Sequence, residues 1–160
     1  MLKDWGIALL IAAAVFLVLR LIPTRGQPDL SGAAPGWSLP ALSGETLSLS
    51  DYQGQTLVLN FWATWCGPCK QEIPDFAAFH AAHPEVAIVG VAVDAADPAK
   101  VERTARQWGI TWPVALEDGS ASSAYEVSVL PTTVIIGPDG AVRSAHVGTL
   151  SLAELKAAAL

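Results

Sequence analysis

The chain contains two cysteines, Cys66 and Cys69, with two residues between them. They lie in the stretch NFWATWCGPCKQEIP, where the pattern of a buried strand changes to that of a helix. Cysteines three positions apart on the first turn of a helix are close enough to form a small-ring disulfide. The free N–H groups at a helix start favour the thiolate, the nucleophile of disulfide exchange. Pro68 lacks an N–H, which matters little in a first turn. The pattern predicts a redox dithiol in which Cys66 attacks and Cys69, one turn inward, resolves the mixed disulfide.

A C-x-x-C pair can also belong to a metal site. With His80 and His83 the chain reads C-x2-C-x10-H-x2-H, which misses both intervals of a zinc finger. Both histidines fall near the end of the helix that Cys66 begins, and at about 1.5 Å of rise per residue one metal ion cannot bridge that length. Two thiolates suit Cu(I), although the chain has one methionine and no histidine-rich tract to assist them. No metal site is therefore predicted, and a copper-carrying role for the cysteines remains the alternative.

The dithiol needs a strand before it and a helix after it, and hydrophobic periodicity predicts both. An apolar run from Thr56 to Ala63 is typical of a central strand, and a helix follows from Gly67 to about His83. Further strands are predicted at Thr46–Ser50, Val86–Val93, Trp112–Leu116, Thr132–Ile136 and Ala141–Val147, the last two joined by a Gly-Pro-Asp-Gly turn. Further helices are predicted at Pro98–Trp108, between an Asp97 cap and Gly109, at Ser120–Tyr125, and after a Ser151–Glu154 capping box. Strands that alternate with helices before a closing hairpin predict an α/β fold with a mixed sheet.

From about Pro35 to Leu160 the chain resembles the thioredoxin superfamily. The stretch WCGPCK, Trp65 to Lys70, matches thioredoxin itself, and Pro74 stands where the active-site helix of that family kinks. Leu130-Pro131-Thr132 resembles the family's cis-proline loop, which faces the disulfide and pairs with the substrate backbone. The resemblance implies a thioredoxin-like fold, with a central mixed β-sheet flanked by helices. It also implies catalytic roles for Cys66, Cys69 and Pro131, and substrate contacts for Trp65, Gly67, Pro68, Leu130 and Thr132.

Three departures from thioredoxin indicate a branch of the superfamily. An extra segment runs from Asp97 to Leu116, Asn60 stands where thioredoxin has its buried aspartate, and Glu72 follows Cys69 by three positions. These features are similar to the TlpA/ResA family, whose members are extracytoplasmic thiol–disulfide oxidoreductases and often membrane-tethered. The related cytochrome-maturation branch, CcmG, usually has glutamate directly after the cis-proline, where this chain has Thr132.

Glu72 is a candidate base for the resolving thiol. A thiol buried under Cys66 should have a raised pKa, and it must lose its proton before it can attack. Because Glu72 lies one turn after Cys69 on the same helix face, we expect it to take that proton. The alternative is an ordinary solvated helix glutamate.

The apolar excess of the chain is concentrated at its N-terminus. No charge interrupts the run from Trp5 to Leu19, and Leu21 and Ile22 extend it if Arg20 snorkels its guanidinium to the lipid headgroups. Residues 1–22 are therefore predicted to be a transmembrane anchor or uncleaved signal, with a cleaved signal and a buried core helix as alternatives. The Pro- and Gly-containing residues 23–35 are predicted to be a linker, and residues 36–160 the redox domain.

Composition and charge exclude several classes of protein. With 52% hydrophobic and 15% charged residues the chain is not disordered, and with a net charge of -6 it lacks the basic character of a nucleic-acid binder. A peroxidase of the peroxiredoxin class would need threonine and proline where this chain has Ala63 and Leu59.

These observations together predict a membrane-tethered, extracytoplasmic thiol–disulfide oxidoreductase without a cofactor. Its expected partners are disulfides of exported proteins, of the cytochrome c or copper-site maturation type, and a membrane thiol reductant as electron donor. Gly67 and Pro68 between the cysteines resemble reducing thioredoxins, so we expect a reductase with a potential on the order of -250 mV. A disulfide-forming oxidase and a copper metallochaperone are the alternative functions.

Overall fold

The computed structural model describes residues 32–160. The predicted membrane anchor, residues 1–22, and the predicted linker as far as residue 31 lie outside the described residues. Within residues 32–160, no helix is both long and apolar enough to cross a membrane.

A mixed six-stranded sheet forms the centre of the part described. In chain order, strands β1 to β8 span Gly32–Ala33, Ser38–Pro40, Thr46–Ser48, Leu57–Trp62, Ala87–Ala92, Val114–Leu116, Thr132–Ile136 and Ala141–Val147. The order across the sheet is β1-β8-β7-β4-β5-β6, and β2 and β3 pair separately. Strands β4, β5 and β6 are parallel, whereas β7 lies antiparallel to β4. Since the carboxyl ends of β4 and β5 meet at one edge of the sheet, the loops that leave these two strands are neighbours.

Helices cover both faces of this sheet, and predicted caps mark the ends of two of them. Helices α1 to α4 span Gly67–Ala82, Pro98–Trp108, Ser120–Ala124 and Leu152–Ala159, and a short 3-10 helix spans Leu49–Tyr52. The Asp97 carboxylate caps α2 by accepting from Lys100 N at 3.0 Å, and Gly109 ends the helix with a φ of 81°. The Ser151–Glu154 capping box starts α4. All three predicted helix signals are confirmed.

Strand β4 is buried along its whole length, and its two faces serve different layers. Successive side chains of a strand point to opposite sides of the sheet. Leu57, Leu59 and Phe61 pack into one core cluster with Tyr125, while Val58 packs against α1 on the other face. Asn60 shares the α1 face with Val58, so a polar side chain of a central strand faces the active-site helix.

Trp108 and Trp112, the two tryptophans of the extra segment from Asp97 to Leu116, pack against aromatic side chains of the core. Trp62 is fully buried, and its ring centroid lies 5.4 Å from that of Trp108. The buried Trp112 packs against Phe76, with 6.2 Å between ring centroids. Gly90 of β5 allows this packing, because a Cβ there would lie 2.9 Å from Trp62 Nε1.

Most predicted elements from residue 46 onward are confirmed, with boundaries that shift by a few residues. Strand β6 begins at Val114 rather than at Trp112, and the run TLSLS ends as a strand at Ser48. Strands β1 and β2 were not predicted. β1 has two residues and lies in the segment predicted as linker, and it joins the sheet by pairing Gly32 with Val142. Such short strands carry no periodicity, and a partner distant in the chain defines them.

Candidate active site

The cysteines lie where β4 passes into α1. Cys66 is the N-cap of the helix, and its sulfur accepts a hydrogen bond from Cys69 N at 3.2 Å. Pro68 occupies the first turn, as its missing N–H permits. The Cys66 sulfur therefore faces the N–H groups that would stabilise a thiolate.

Cys66 and Cys69 form a disulfide, with 5.3 Å between their Cα atoms. Cys66 is 4% exposed and Cys69 is fully buried, so an incoming partner can reach only the Cys66 side of the bond. Gly67 and Pro68 are exposed beside it, and Trp65 stands 67% exposed. The structure thus places the Cys66 sulfur nearer the surface and the Cys69 sulfur beneath it.

The loop before β7 belongs to the same site. The Leu130–Pro131 peptide bond is cis, and Leu130 packs against the cluster that contains both cysteines. Pro131 is buried, and its carbonyl accepts from Gly148 N at 2.9 Å. Thr132, expected to contact the substrate, is also buried, and its hydroxyl donates to Val129 O at 2.7 Å. Its side chain supports the loop from within.

An apolar cavity of about 370 Å³ opens between Trp65 and this loop. Its lining comprises Trp65, Val93, Ser122 and the continuous run Val127, Ser128, Val129 and Leu130. Trp65 and Val129 are large hydrophobic side chains exposed to solvent, at 67% and 53%. Exposed apolar surface of this kind is typical of a docking surface. We call this cavity the apolar groove.

Glu72 is buried within the helix–sheet interface. It is 2% exposed, which excludes the solvated-glutamate alternative. One carboxylate oxygen accepts from Asn60 Nδ2 at 2.9 Å and the other from Leu150 N at 3.1 Å. Burial raises the pKa of Glu72 to about 7, although the hydrogen bonds from Asn60 and Leu150 oppose that rise. A carboxyl group with this pKa can both accept and release a proton near neutral pH.

A second cavity, of about 210 Å³, opens beside Glu72. Its lining is mostly polar and comprises Gln71, Glu72, Asp75, Thr149, Leu150, Ser151 and Glu154. Two more carboxyl groups, on Asp75 and Glu154, therefore share this space with Glu72. We call it the polar cavity.

Two sets of hydrogen bonds at the site join residues whose contact the sequence does not predict. Asn60 Nδ2 also donates to Thr133 Oγ1 at 3.1 Å, which joins β4, β7 and α1 through one amide. Asp94 accepts hydrogen bonds from Thr64, two residues before Cys66. One signal could have pointed to Asp94: it is an acidic residue just after a buried strand parallel to the one that leads to Cys66.

His80 and His83, the two histidines that follow the cysteines, pack against aromatic rings near the other end of α1. The His80 ring centroid lies 6.0 Å from that of Trp112, and His83 lies 4.9 Å from Phe79. Within residues 32–160, no group of three or more His, Cys, Asp and Glu side chains could hold a metal ion.

Comparisons with known proteins agree with this geometry. The family model described as the AhpC/TSA family matches residues 30–145. The thiol-disulfide oxidoreductase ResA of Bacillus subtilis (strain 168) is 36% identical over 91% of this chain and 84% of its own. The crystal structure of StoA from Bacillus subtilis has a TM-score of 0.67 and 28% identity, covering 78% of this chain and 96% of that one. The crystal structure of a secreted Mycobacterium tuberculosis disulfide oxidoreductase, described as homologous to E. coli DsbE, has a TM-score of 0.69 and 27% identity. The match covers 77% of this chain and 93% of that one.

Proposed function

This chain belongs to the AhpC/TSA family and is a thiol–disulfide oxidoreductase of the ResA, StoA and DsbE type, with a thioredoxin-like fold. We propose that it reduces disulfides of exported proteins while it is tethered to a membrane. One observation carries the proposal. The disulfide presents a single reachable sulfur; Trp65, the residue before it in the chain, lines an apolar groove, and Glu72, one turn after Cys69, is buried. Docking, attack and resolution each have a place in this arrangement.

Reduction of a substrate begins from the dithiol form of the enzyme. The Cys66 thiolate attacks one sulfur of the substrate disulfide, and a mixed disulfide forms as the first substrate thiolate leaves. The helix N-terminus lowers the cost of holding the attacking sulfur as an anion. Cys66 is the sulfur that a protein substrate can reach.

Resolution requires the buried sulfur. We assign Glu72 as the base that takes the Cys69 proton, because it lies one turn further along α1 and its pKa of about 7 suits proton transfer. The Cys69 thiolate then attacks Cys66, breaks the mixed disulfide and releases the second substrate thiolate. Two electrons have passed to the substrate, and Cys66 and Cys69 end as the disulfide seen in the structure.

The surfaces around Cys66 position the substrate. Trp65 and Leu130 supply apolar contacts from the two sides of the apolar groove, and the exposed Gly67 and Pro68 leave the sulfur accessible. Leu130, directly before Pro131, packs against the disulfide cluster, and this placement of the loop supports backbone pairing with an extended substrate segment. Such contacts select unfolded or flexible protein segments around a disulfide.

The N-terminal sequence supports a membrane tether, and the disulfide chemistry supports a position outside the cytoplasm. The apolar run within residues 1–22 is suited to a membrane anchor, and the residues that follow it, as far as residue 31, would hold the redox domain, which includes β1, clear of the bilayer. The Mycobacterium tuberculosis relative is described as secreted, and disulfide-bearing clients are found in oxidising compartments. A membrane thiol reductant would return the enzyme to its dithiol form after each cycle.

Trapping in cells tests the proposal directly. In a Cys69→Ser variant the mixed disulfide cannot be resolved, so exported proteins should accumulate as Cys66-linked adducts that a thiol reductant releases. A Cys66→Ser variant is the matched control and should yield none. Adducts with apocytochromes c or copper-site proteins would specify the client class. Absence of adducts in the Cys69→Ser variant would refute the assignment of protein clients.

The direction of electron flow has its own test. Equilibration of Cys66 and Cys69 with glutathione should give a potential on the order of -250 mV, as for reducing thioredoxin-like proteins. A value near about -120 mV would instead identify a disulfide-forming oxidase.

A further inference from the structure

Asp94 connects the ends of two parallel strands at the active-site edge of the sheet. It follows β5 closely, and Thr64 follows β4, whose last residue Trp62 pairs with Ala92. Both carboxylate oxygens of Asp94 accept from Thr64 N, at 3.1 and 3.2 Å, and the Thr64 hydroxyl donates to the same carboxylate. One side chain thus holds both the backbone and the hydroxyl of a single residue.

The residues of this contact are neighbours, along the chain, of the disulfide and of two residues that line the apolar groove. Thr64 is followed directly by Trp65 and Cys66, and Asp94 is preceded directly by Val93. Trp65 and Val93 both line the apolar groove, so the contact ties together two parts of its wall.

Trp65 has little packing of its own to hold it in place, since it is 67% exposed. Its neighbour Trp62 is fully buried and needs no such support. With so little packing, the position of the Trp65 indole depends more on the backbone that carries it, and Asp94 holds that backbone at Thr64. A wall residue that is already in place costs a partner less ordering entropy on docking.

We propose that Asp94 is a positioning residue, which orders the Trp65 side of the apolar groove through Thr64 and thereby sets the affinity for protein disulfides. The proposal rests on the proposed function, in which that groove receives the substrate. Asp94 acts through Thr64 and Trp65, and both of its carboxylate oxygens are engaged by Thr64. Its effect should therefore fall on substrate binding and spare the chemical step.

The chain offers a matched control three residues away. Asp97 lies in the same loop and carries the same charge, but it caps α2 by accepting from Lys100 N. Asp94→Asn and Asp97→Asn each remove one negative charge near the active site. Only Asp94→Asn takes away acceptor capacity from Thr64, because an amide has a single acceptor oxygen.

The experiment compares two disulfide probes in the full chain. Reduced wild type and variants are mixed with insulin, a protein disulfide, and with hydroxyethyl disulfide, which is too small to span the groove. Asp94→Asn should raise the KM for insulin about five- to tenfold with kcat retained, while the rate with hydroxyethyl disulfide stays within about twofold. Asp97→Asn should leave both probes near wild type.

A second variant keeps the proposal testable if Asp94→Asn fails to fold. Thr64→Val removes the hydroxyl bond and keeps the N–H bond, so it should raise the insulin KM in the same direction by a smaller factor. Equal insulin KM values for the Asp94→Asn and Asp97→Asn variants would overturn the positioning role, as would equal losses on both probes. A wild-type enzyme that reduces hydroxyethyl disulfide but not insulin would refute the proposed function itself.

Discussion

Two cavities open beside the start of α1, and their chemistry differs. The apolar groove, of about 370 Å³, is lined by Trp65, Val93 and the loop that leads to the cis-proline. The polar cavity, of about 210 Å³, is lined by Glu72, Asp75, Glu154 and other polar residues. The groove is lined by Trp65, the residue before Cys66, and the polar cavity is lined by Glu72, one turn beyond Cys69.

This difference separates two tasks of disulfide exchange. An apolar groove favours binding of a polypeptide, because burial of apolar surface stabilises the complex. A polar cavity lets a buried carboxyl group exchange protons with water. The first half of the reaction is thus expected to depend on the groove, and the second half on Glu72. Four experiments probe the residues of these two regions, from the largest expected effect to the smallest.

The first prediction concerns folding stability and pH. Glu72 has a pKa of about 7 in the folded protein and an ordinary value of 4.5, so between these values the folded state holds a proton that the unfolded chain has released. Stability contributed by this group is full below its ordinary pKa and declines as pH rises. At about 1.4 kcal/mol per pH unit, the oxidised wild type should lose roughly 3 kcal/mol relative to Glu72→Gln between about pH 4 and pH 8.

Urea unfolding of the disulfide-bonded proteins at several pH values measures this difference. Other titrating groups are common to wild type and variant, so their contributions cancel. Parallel pH profiles for the two proteins would show that Glu72 does not hold a proton in the fold.

The second prediction concerns turnover. Glu72→Gln removes the base and should slow insulin reduction about 100-fold, because a positioned base contributes at least that factor. Alkylation of Cys66 in the reduced protein should stay near the wild-type rate. The wild-type rate should rise with pH through about 7, as the carboxylate forms, and the variant should lack that step.

An exposed glutamate on α2, Glu102, provides the control, since Glu102→Gln removes one carboxylate away from both cavities. Unchanged turnover in Glu72→Gln would remove Glu72 from the resolution step. An equal loss in Cys66 alkylation would instead place its effect on the attacking sulfur.

The third prediction concerns the apolar groove. Trp65→Ala should raise the KM for insulin about fivefold, since a large exposed apolar contact is lost, and should leave kcat and the pH profile as they are. Trp65→Phe keeps part of the apolar wall and should lie between wild type and Trp65→Ala. A fall in kcat with an unchanged KM would show that Trp65 acts on the chemistry rather than on docking.

The smallest effect, on folding stability, is expected at Glu126, directly before the run of residues 127–130 that lines the apolar groove. Glu126 has a φ of 53°, and it is the one non-glycine residue in residues 32–160 with a positive φ. Glycine adopts this conformation without the Cβ clash, so Glu126→Gly should raise the free energy of unfolding by about 0.5–1 kcal/mol. Thermal unfolding at fixed pH measures this change in the free energy of unfolding. Glu117, whose carboxylate accepts from Ala121 N and Ser122 N at the start of α3, is the same in both proteins. A destabilised variant would mean that the Glu126 side chain makes a compensating contact.

Local patterns in the sequence accounted for much of the fold. The buried run of β4, the Asp97 and Gly109 ends of α2 and the capping box of α4 could all be predicted, because each signal lies within a few neighbouring residues. Strands β1 and β2 could not, because two or three residues become a strand only when a distant partner pairs with them.

Individual residues of the site divide in the same way. The spacing of Cys66 and Cys69 at a helix start predicts a redox pair, and the structure joins the two sulfurs in a disulfide. The sequence predicts that Glu72 lies on the same helix face as Cys69. Its hydrogen-bonded, buried environment depends on Asn60 and Leu150, which are 12 and 78 positions away in the chain. Thr132 looked like a substrate contact, and the structure buries its side chain within the loop.

By itself, the amino-acid sequence determined which chemistry is present: two sulfurs three positions apart, held at the junction of a strand and a helix. Only the tertiary structure decided which groups surround that chemistry, namely the amide that contacts Glu72, the carboxylate of Asp94 that holds Thr64, and the two cavities. The physical reason is distance along the chain. Helix starts and caps depend on near neighbours, whereas burial, proton affinity and a docking surface arise where the packing of the sheet brings remote segments together.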